Sequence, residues 1–392
     1  MSTRRRQPPK KVFKSLIKKI VGILNPRDTP NLKALDQLVN THSMLEDSPV
    51  HVAVYKGFEP ELRYVIDNIE PEERLSVYLW RNSNSFTALD EAVNKPNAPM
   101  TEFILSSLQD DDERVELLQS RNAKGWTALH RAVFKNNDNL LHLMFKSVRE
   151  DTKRANLALT EDIDGFPILF KSLNCIDPEY STFKRILRES AAARYTLLTW
   201  KDPDGNSILH HIILRTNASL LAWTLDQEPQ QRKLELLRTE DKDGRTLLHI
   251  AAENSLRSMV RCVLKQLNSP INKFELIWKQ DNRQQTALHY AARSSKIEVM
   301  EALLEAVEPN DRIVLLQHKD HNGNTAYDEA NRIQNIRCIK TIIGLIDGTT
   351  VSALSSQLGN YSRNNNGEQY ANTTIHLYVF VTLKHTHNKF ML

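Results

Sequence analysis

The residues best suited to chemistry in this sequence are acidic side chains in recurring Asp-x-Asp-Gly strings. These strings occupy residues 162–165, 202–205 and 241–244. Carboxylates just before a glycine could begin a calcium-binding loop, which also needs a glutamate at its twelfth position. With Asp202 as the third position, the twelfth is His211, and the same register gives Lys171 and Ile250 in the other strings. Because none of these replaces the glutamate, the strings are interpreted as tight turns.

Other residues capable of metal binding or catalysis do not form a recognisable site. His210 and His211 are adjacent, so on a helix their side chains point about 100° apart and do not readily chelate one ion. The three cysteines, Cys175, Cys262 and Cys338, are too far apart in sequence for a zinc-binding pair or a disulfide framework. The sequence has no HExxH, GxSxG, Walker A or kinase signature. We therefore predict a non-catalytic protein with no metal site and no cofactor.

A repeated string determines the architecture in which these residues lie. The segment NAKGWTALH at 122–130 aligns with DPDGNSILH at 202–210, DKDGRTLLH at 241–249 and DNRQQTALH at 281–289. The position of Thr or its equivalent recurs at residues 48, 87, 127, 167, 207, 246, 286 and 325. Successive intervals of 39 or 40 residues predict about eight structural repeats.

Each part of the string has a structural task. Asp-x-x-Gly predicts a turn, and the Thr or Ser that follows is a good N-cap for a helix. Leu and then a pair of alanines, as at 251–252 and 291–292, predict a first helix that its neighbours can approach closely. Apolar residues at helical spacing within 297–304 predict a second helix.

This pattern resembles the ankyrin repeat, a β-turn followed by two antiparallel helices. Thr-Ala-Leu-His is intact at 127–130 and 286–289, and the resemblance covers about residues 45–347. It implies an all-α solenoid of about eight helix-turn-helix units with β-turn loops. We assign this solenoid to residues 31–347, between two short tails.

Some repeats depart from the family pattern. His is replaced by Asp90, Phe170 and Asp328, and Pro167 takes the place of Thr. The resemblance implies that the imidazole ties adjacent loops together, so these units are expected to be looser.

The period is also longer than the roughly 33 residues of a standard ankyrin unit. The additional residues precede each turn and have their own pattern. One or two polar residues are followed by an Arg and then by apolar residues three and four positions apart. The pattern is seen at 72–79, 112–118, 230–237 and 310–316. This pattern predicts a short extra helix in each long loop.

The resemblance implies that a partner binds the turn tips and the inner face of the first helices. The tip candidates are Phe86, Trp126, Phe166 and Arg245. The first-helix candidates are Arg131, Phe134, Lys135, Arg215, Tyr290 and Arg293. Aromatic and Arg side chains contribute most to interface energies, so we predict that these residues bind another protein. Their basic character favours an acidic or phosphorylated segment. The alternative is that the three tip aromatics stack on one another and only rigidify the loops.

The two tails differ in charge. Residues 1–27 hold nine Lys or Arg and no acid, which leaves 43 of the 52 basic residues against all 48 acidic ones. The repeats are thus net acidic and are not expected to bind nucleic acid specifically. Within the basic arm, 1–30, residues 10–24 have an amphipathic pattern that fits packing on the first repeat, contact with a membrane surface, or nuclear or mitochondrial import. Residues 348–392 are predicted to be a polar, disordered tail.

These observations favour a monomeric intracellular scaffold or adaptor. No apolar run is long enough to cross a membrane as a helix, and a cytoplasmic location is expected, with the basic arm able to direct the chain to the nucleus or a membrane surface. The alternative is a membrane-associated adaptor, or the cytosolic module of a larger receptor or channel, tethered by the basic helix.

Overall fold

The computed structural model describes residues 49–82, 84–95, 97–175, 177–294 and 296–346. The predicted basic arm at 1–30 and polar tail at 348–392 lie outside the described residues, as does the beginning of the predicted solenoid. The domain boundaries therefore stay predictions.

The described chain is built from α-helices in a repeating order of first, second and third helix. The first four repeats comprise α1 Pro49–Lys56, α2 Glu59–Asp67, α3 Pro71–Tyr78; α4 Ala88–Asn94, α5 Ala98–Ser106, α6 Asp111–Leu118; α7 Ala128–Phe134, α8 Asp138–Ser147, α9 Asp151–Ala158; and α10 Ile168–Ser172, α11 Ser181–Glu189, a 3-10 turn Ala191–Ala193 and α12 Arg194–Thr199. The next four comprise α13 Ile208–Leu214, α14 Ala218–Asp226, α15 Gln230–Leu237; α16 Leu247–Glu253, α17 Arg257–Lys265, α18 Pro270–Trp278; α19 Ala287–Arg293, α20 Ile297–Glu305, α21 Pro309–Gln317; and α22 Ala326–Arg332 and α23 Ile336–Ile346. The prediction of an all-α repeat fold is confirmed.

Most first helices begin where the sequence places Thr or Ser, whereas α10 follows Pro167. In α16 the N-cap Thr246 and His249 form a capping box, in which each side chain bonds the other residue's backbone amide. Behind this cap Leu247, Leu248 and the small Ala251 are fully buried. Because the alanine adds little bulk, α16 packs closely against both α13 and α19.

The second helices form a layer behind the first. Several begin with an Asn that the sequence pattern did not single out: the side chain of Asn217 accepts a hydrogen bond from the amide of Leu220 at 2.8 Å. Asn97 and Asn137 cap α5 and α8 in the same way. Apolar residues at helical spacing, such as Val260, Val263 and Leu264 of α17, close the core between the two layers.

The third helices confirm the prediction made from the long period. Their recurring Arg binds carbonyl oxygens at the end of a second helix. Arg114 of α6 donates from Nε to the carbonyl of Leu105 at 3.0 Å and from Nη2 to that of Leu108 at 2.7 Å. Arg74, Arg154, Arg194 and Arg312 make similar bonds to backbone carbonyls. These bonds satisfy acceptors that the end of a helix leaves without an intrahelical partner.

The chain divides between Trp200 and Lys201 into two compact units. In the first unit α1, α4, α7 and α10 pack successively side by side, and α8 packs between α5 and α11. In the second unit α13, α16, α19 and α22 pack in the same way, with α17, α20 and α23 behind them. In the described part of the chain, the first and second helices of each unit therefore form two layers over four repeats.

None of the described helices has the length and apolar character of a membrane crossing.

Candidate functional site

The Asp-x-x-Gly turns use their acidic side chains for structure. Asp202 Oδ1 accepts hydrogen bonds from the amides of Asp204 and Asn206 at 2.9 and 2.8 Å. Gly205 takes a φ of +79°, and a Cβ on it would lie only 2.5 Å from the amide nitrogen of Lys242 in the next turn. The turn therefore needs glycine both for its conformation and for close stacking on its neighbour. In the described part of the chain no group of three or more acidic, His or Cys side chains could hold a metal ion.

The repeated His joins one loop to the next. His249 is fully buried. Its Nδ1 accepts from the Thr246 hydroxyl at 2.8 Å and amide at 3.0 Å. Its Nε2 donates to the carbonyl of Gln285, in the following turn, at 3.0 Å. His51, His210 and His289 also reach a carbonyl of the next turn. The tie that the family resemblance implied is present in these repeats.

Only one of the two ring nitrogens of His130 makes a hydrogen bond within the described residues. Its Nδ1 lies 2.9 Å from the Thr127 hydroxyl, but its Nε2 makes no hydrogen bond within the described residues. Burial lowers the pKa of His130 to about 4, opposed by the Asp162 carboxylate and the Phe166 carbonyl. The ring is therefore neutral at physiological pH.

The substituted repeats replace the tie in different ways. Asp90 keeps the cap, since its Oδ2 accepts from the Thr87 amide at 3.0 Å, and its Oδ1 lies 4.0 Å from Nε of Arg131 in the next repeat. Burial raises the pKa of Asp90, opposed by the Thr87 amide and by Arg131. Phe170 instead packs edge-on against Trp200, with ring centroids 4.7 Å apart. The prediction that these units are looser stays a prediction.

The tip aromatics of the first unit each pack against a different partner. Trp126 lies over Phe134, with ring centroids 5.2 Å apart. The Arg131 guanidinium covers the ring of Phe86 at 3.9 Å. Phe166 contacts Phe170 and Trp200, at 5.8 and 5.6 Å. Among the described residues the three rings pack on these partners and not on one another, and a role in rigidifying the loops stays a prediction.

The predicted first-helix residues of this unit differ in accessibility. Phe134 is 68% exposed, and Lys135 beside it is also exposed. Arg131 is only 8% exposed because it lies between Phe86 and Asp90. Little of this side chain is accessible, and its contact with a partner stays a prediction.

In the second unit most of the predicted residues are engaged within the fold. Tyr290 is buried and donates its hydroxyl to Asp281 at 2.7 Å, and burial raises its pKa. Arg245 pairs with Asp241 and Glu253 at 2.8 and 2.9 Å. The Tyr290 hydroxyl points back to the turn that precedes the helix, and the contact of Tyr290 with a partner stays a prediction.

The two remaining predicted residues of the second unit are partly exposed. Arg293 lies over the Tyr290 ring at 4.6 Å and donates to Gln285 at 2.9 Å. Arg215 donates to the carbonyl of His211 at 3.3 Å. Both side chains retain accessible surface on the first-helix side of the unit.

The comparisons with known proteins agree with this geometry. Residues 210–313 match the family of ankyrin repeats (3 copies). Residues 210–313 are therefore ankyrin repeats. The chain resembles the crystal structure of the ankyrin repeat domain of Bcl-3, a unique member of the IkappaB protein family, with a TM-score of 0.50 and 18% sequence identity. That similarity covers 66% of this chain and 98% of the other, and at this identity it concerns the fold alone. No curated protein matches the sequence significantly.

The stacked repeats of the first unit also form a cavity that sequence reasoning missed. It lies between the first two repeats, has a volume of about 640 Å³, and is lined by Tyr55, Lys56, Lys95 and the start of α5. Nζ of Lys95 stands 3.2 Å from the centre of the Tyr55 ring, and Nζ of Lys56 stands 5.9 Å from it. The available signal was a Lys eight residues after the Thr-equivalent position in three successive repeats, at 56, 95 and 135.

Proposed function

We propose that this ankyrin-repeat protein is a non-catalytic scaffold or adaptor that binds a partner protein through the tips and first helices of its first unit. Ankyrin repeats generally act as protein-interaction modules. The observation that carries the proposal is Phe134, which remains 68% exposed although it packs on Trp126 and is flanked by the exposed Lys135. Large aromatic side chains held at a surface are typical centres of binding energy.

The non-catalytic part of the proposal rests on how the titratable groups are used. Oxygens of the turn carboxylates accept hydrogen bonds from backbone amides, and the buried imidazoles are held in capping boxes. A general acid or base must instead be free to exchange a proton with a substrate. The structural roles of these groups favour binding over catalysis.

The proposal includes an intracellular, monomeric protein with reduced cysteines. The thiol of Cys262 donates to the carbonyl of Ala218 at 3.3 Å, and burial raises its pKa. Burial likewise raises the pKa of Cys338 to about 11. Thiols of this kind are poor nucleophiles and stay reduced in a reducing compartment.

The test is proximity labelling with the full chain in its native cell type, comparing the wild type with Trp126→Ala/Phe134→Ala. If these rings anchor a partner, the pair of substitutions weakens its capture by roughly thirtyfold or more. Ile271→Ala is the matched control, because Ile271 is 69% exposed on a third helix of the second unit. An unchanged set of neighbours in the double variant, with the fold intact by circular dichroism, would exclude this surface as the binding site.

A further inference from the structure

The cavity between the first two repeats has cationic walls. Lys95 donates one hydrogen bond, to the carbonyl of Tyr55 at 3.3 Å, whereas an ammonium group has three donors. Neither Lys56 nor Lys95 has a carboxylate within 4 Å in the described ranges, and Lys171 and Lys153 of the same unit do, at 2.7 and 2.8 Å. Two neighbouring cations that have no carboxylate partner among the described residues provide a site that an anionic group would stabilise.

The cavity also has an apolar surface. Tyr55 is 49% exposed, with one ammonium group held over its ring. A ligand that fits must therefore supply a negative charge and an apolar group close to it. Neither a free inorganic anion nor a purely apolar side chain would use both features.

The arrangement continues along the same layer of the unit. Lys135 and Phe134 hold, in the third repeat, the helix positions that Lys56 and Tyr55 hold in the first. Lys56 ends α1, and Lys95 and Lys135 directly follow α4 and α7. These three helices pack successively side by side. Adjacent packed helices lie about 8–10 Å apart, and an extended chain advances about 3.3 Å per residue. Three residues of an extended segment therefore span one repeat.

We infer that this row of lysines binds an extended acidic segment of a partner protein, with Asp or Glu at every third position and apolar side chains between them. The carboxylates accept from Lys56, Lys95 and Lys135, and the apolar side chains contact Tyr55 and Phe134. This inference rests on the proposed function and specifies the chemistry of the partner.

The charge of the repeats around the row favours a short acidic segment over a nucleic acid. Residues 49–200 contain 19 Lys or Arg and 23 Asp or Glu, so these repeats are net negative. A long polyanion would meet repulsion beyond the row, whereas a segment of a few acids is attracted to the row alone. Lysine also provides point charges and not the planar fork with which Arg recognises phosphate.

The experiment measures fluorescence anisotropy of the full chain with a labelled synthetic peptide that has aspartate at every third position and leucine between. A second peptide of the same composition has its aspartates adjacent. We expect the spaced peptide to bind at least fivefold more tightly, and Lys95→Gln to weaken it about three- to fivefold. Combining it with Lys56→Gln and Lys135→Gln should weaken it tenfold or more.

The matched control is Lys146→Gln, which removes an exposed lysine from the last turn of the second helix α8. This change should alter affinity less than twofold. Equal binding of the two peptides, equal effects of Lys95→Gln and Lys146→Gln, no binding by the wild type, or tighter binding of an RNA homopolymer would each overturn the inference. If the peptide measurements overturn the inference while Trp126→Ala/Phe134→Ala still weakens partner capture, the proposed function stands and only the acidic-segment chemistry is wrong.

Discussion

The buried imidazole of His210 should make the stability of the second unit fall at mildly acidic pH. His210 is fully buried, with Nδ1 2.9 Å from the Ser207 hydroxyl and Nε2 3.3 Å from the carbonyl of Arg245. Burial lowers its pKa from 6.5 to about 4, opposed by the Arg245 carbonyl and by Asp241. Because Nδ1 accepts a hydrogen bond in the fold, the structure requires the neutral ring.

The sign and magnitude of the stability change with pH follow from the pKa of 6.5 in the unfolded chain and of about 4 in the fold. As pH falls from 6.5 towards 4, the unfolded chain binds a proton that the folded chain does not, so the fold loses stability. The stabilisation is complete above pH 6.5, and about 2 kcal/mol of it is lost by pH 5. The nearby carboxylate of Asp202 has a lowered pKa, through its hydrogen bonds with Asn206 and His211 against the opposing effect of burial, so it does not titrate in this window.

His210→Gln removes the titrating group. At pH 8 the variant should be less stable than the wild type by about 1–2 kcal/mol, because the cap and the tie are lost. Between pH 8 and 5, however, the variant should lose about 2 kcal/mol less than the wild type. The two unfolding free energies therefore converge near pH 5.

The assay is urea unfolding followed by circular dichroism at pH 8, 6 and 5, with hydrogen exchange of the 201–346 peptides to identify the transition of the second unit. His321→Gln is the control, because its side chain is exposed on a turn. It should follow the wild-type pH dependence. A His210→Gln variant that loses as much stability as the wild type between pH 8 and 5 would refute the neutral, buried imidazole.

Three further substitutions and one control test the turns and the third helices by urea unfolding. Gln284 holds a φ of +58° at a position where other repeats have Gly, so Gln284→Gly should stabilise the second unit by about 0.5–1 kcal/mol. Gly244→Ala should destabilise it, because the new Cβ would lie 2.9 Å from the Asn282 amide nitrogen; effects of the same sign would contradict this account. Arg114→Met should cost the first unit about 1.5–3 kcal/mol, since it leaves two carbonyls without their charged donor. The exposed Arg149→Met should cost less than about 0.5 kcal/mol, and equal losses would show that the carbonyl bonds contribute little.

Features set by one repeat could be predicted from the sequence, and features shared between repeats largely could not. The N-cap Thr, the first helix and the third helix each depend on residues close in the chain, and the structure has them where the pattern placed them. The cavity at Tyr55 and Lys95 joins residues 40 positions apart, and neither carries a local signature of binding. Only comparing equivalent positions across repeats would have revealed the row of lysines.

The burial of Tyr290 has a similar explanation. Its hydroxyl reaches the second carboxylate oxygen of Asp281, the first residue of the preceding turn. Lys171 and His211, at equivalent positions, reach Asp162 and Asp202 in the same way. Helical periodicity places these side chains on the partner-facing side of the helix, but attraction to a nearly buried carboxylate turns them back towards the loop. The signal available in the sequence was a side chain able to donate to a carboxylate, nine residues after the aspartate that begins the turn.

The recurring Arg explains how a period of 39–40 residues forms a coherent stack. A longer loop loses more conformational entropy on folding. Contacts that its residues make in the fold must offset that loss. The guanidinium of Arg114 gains two carbonyls at the end of the second helix of its own repeat. Arg74 bonds the carbonyl of Ile69 in its own repeat and that of Ser107 in the next. In a stack stabilised by neighbour contacts, the third helix therefore adds to the coupling between repeats as well as to the size of each one.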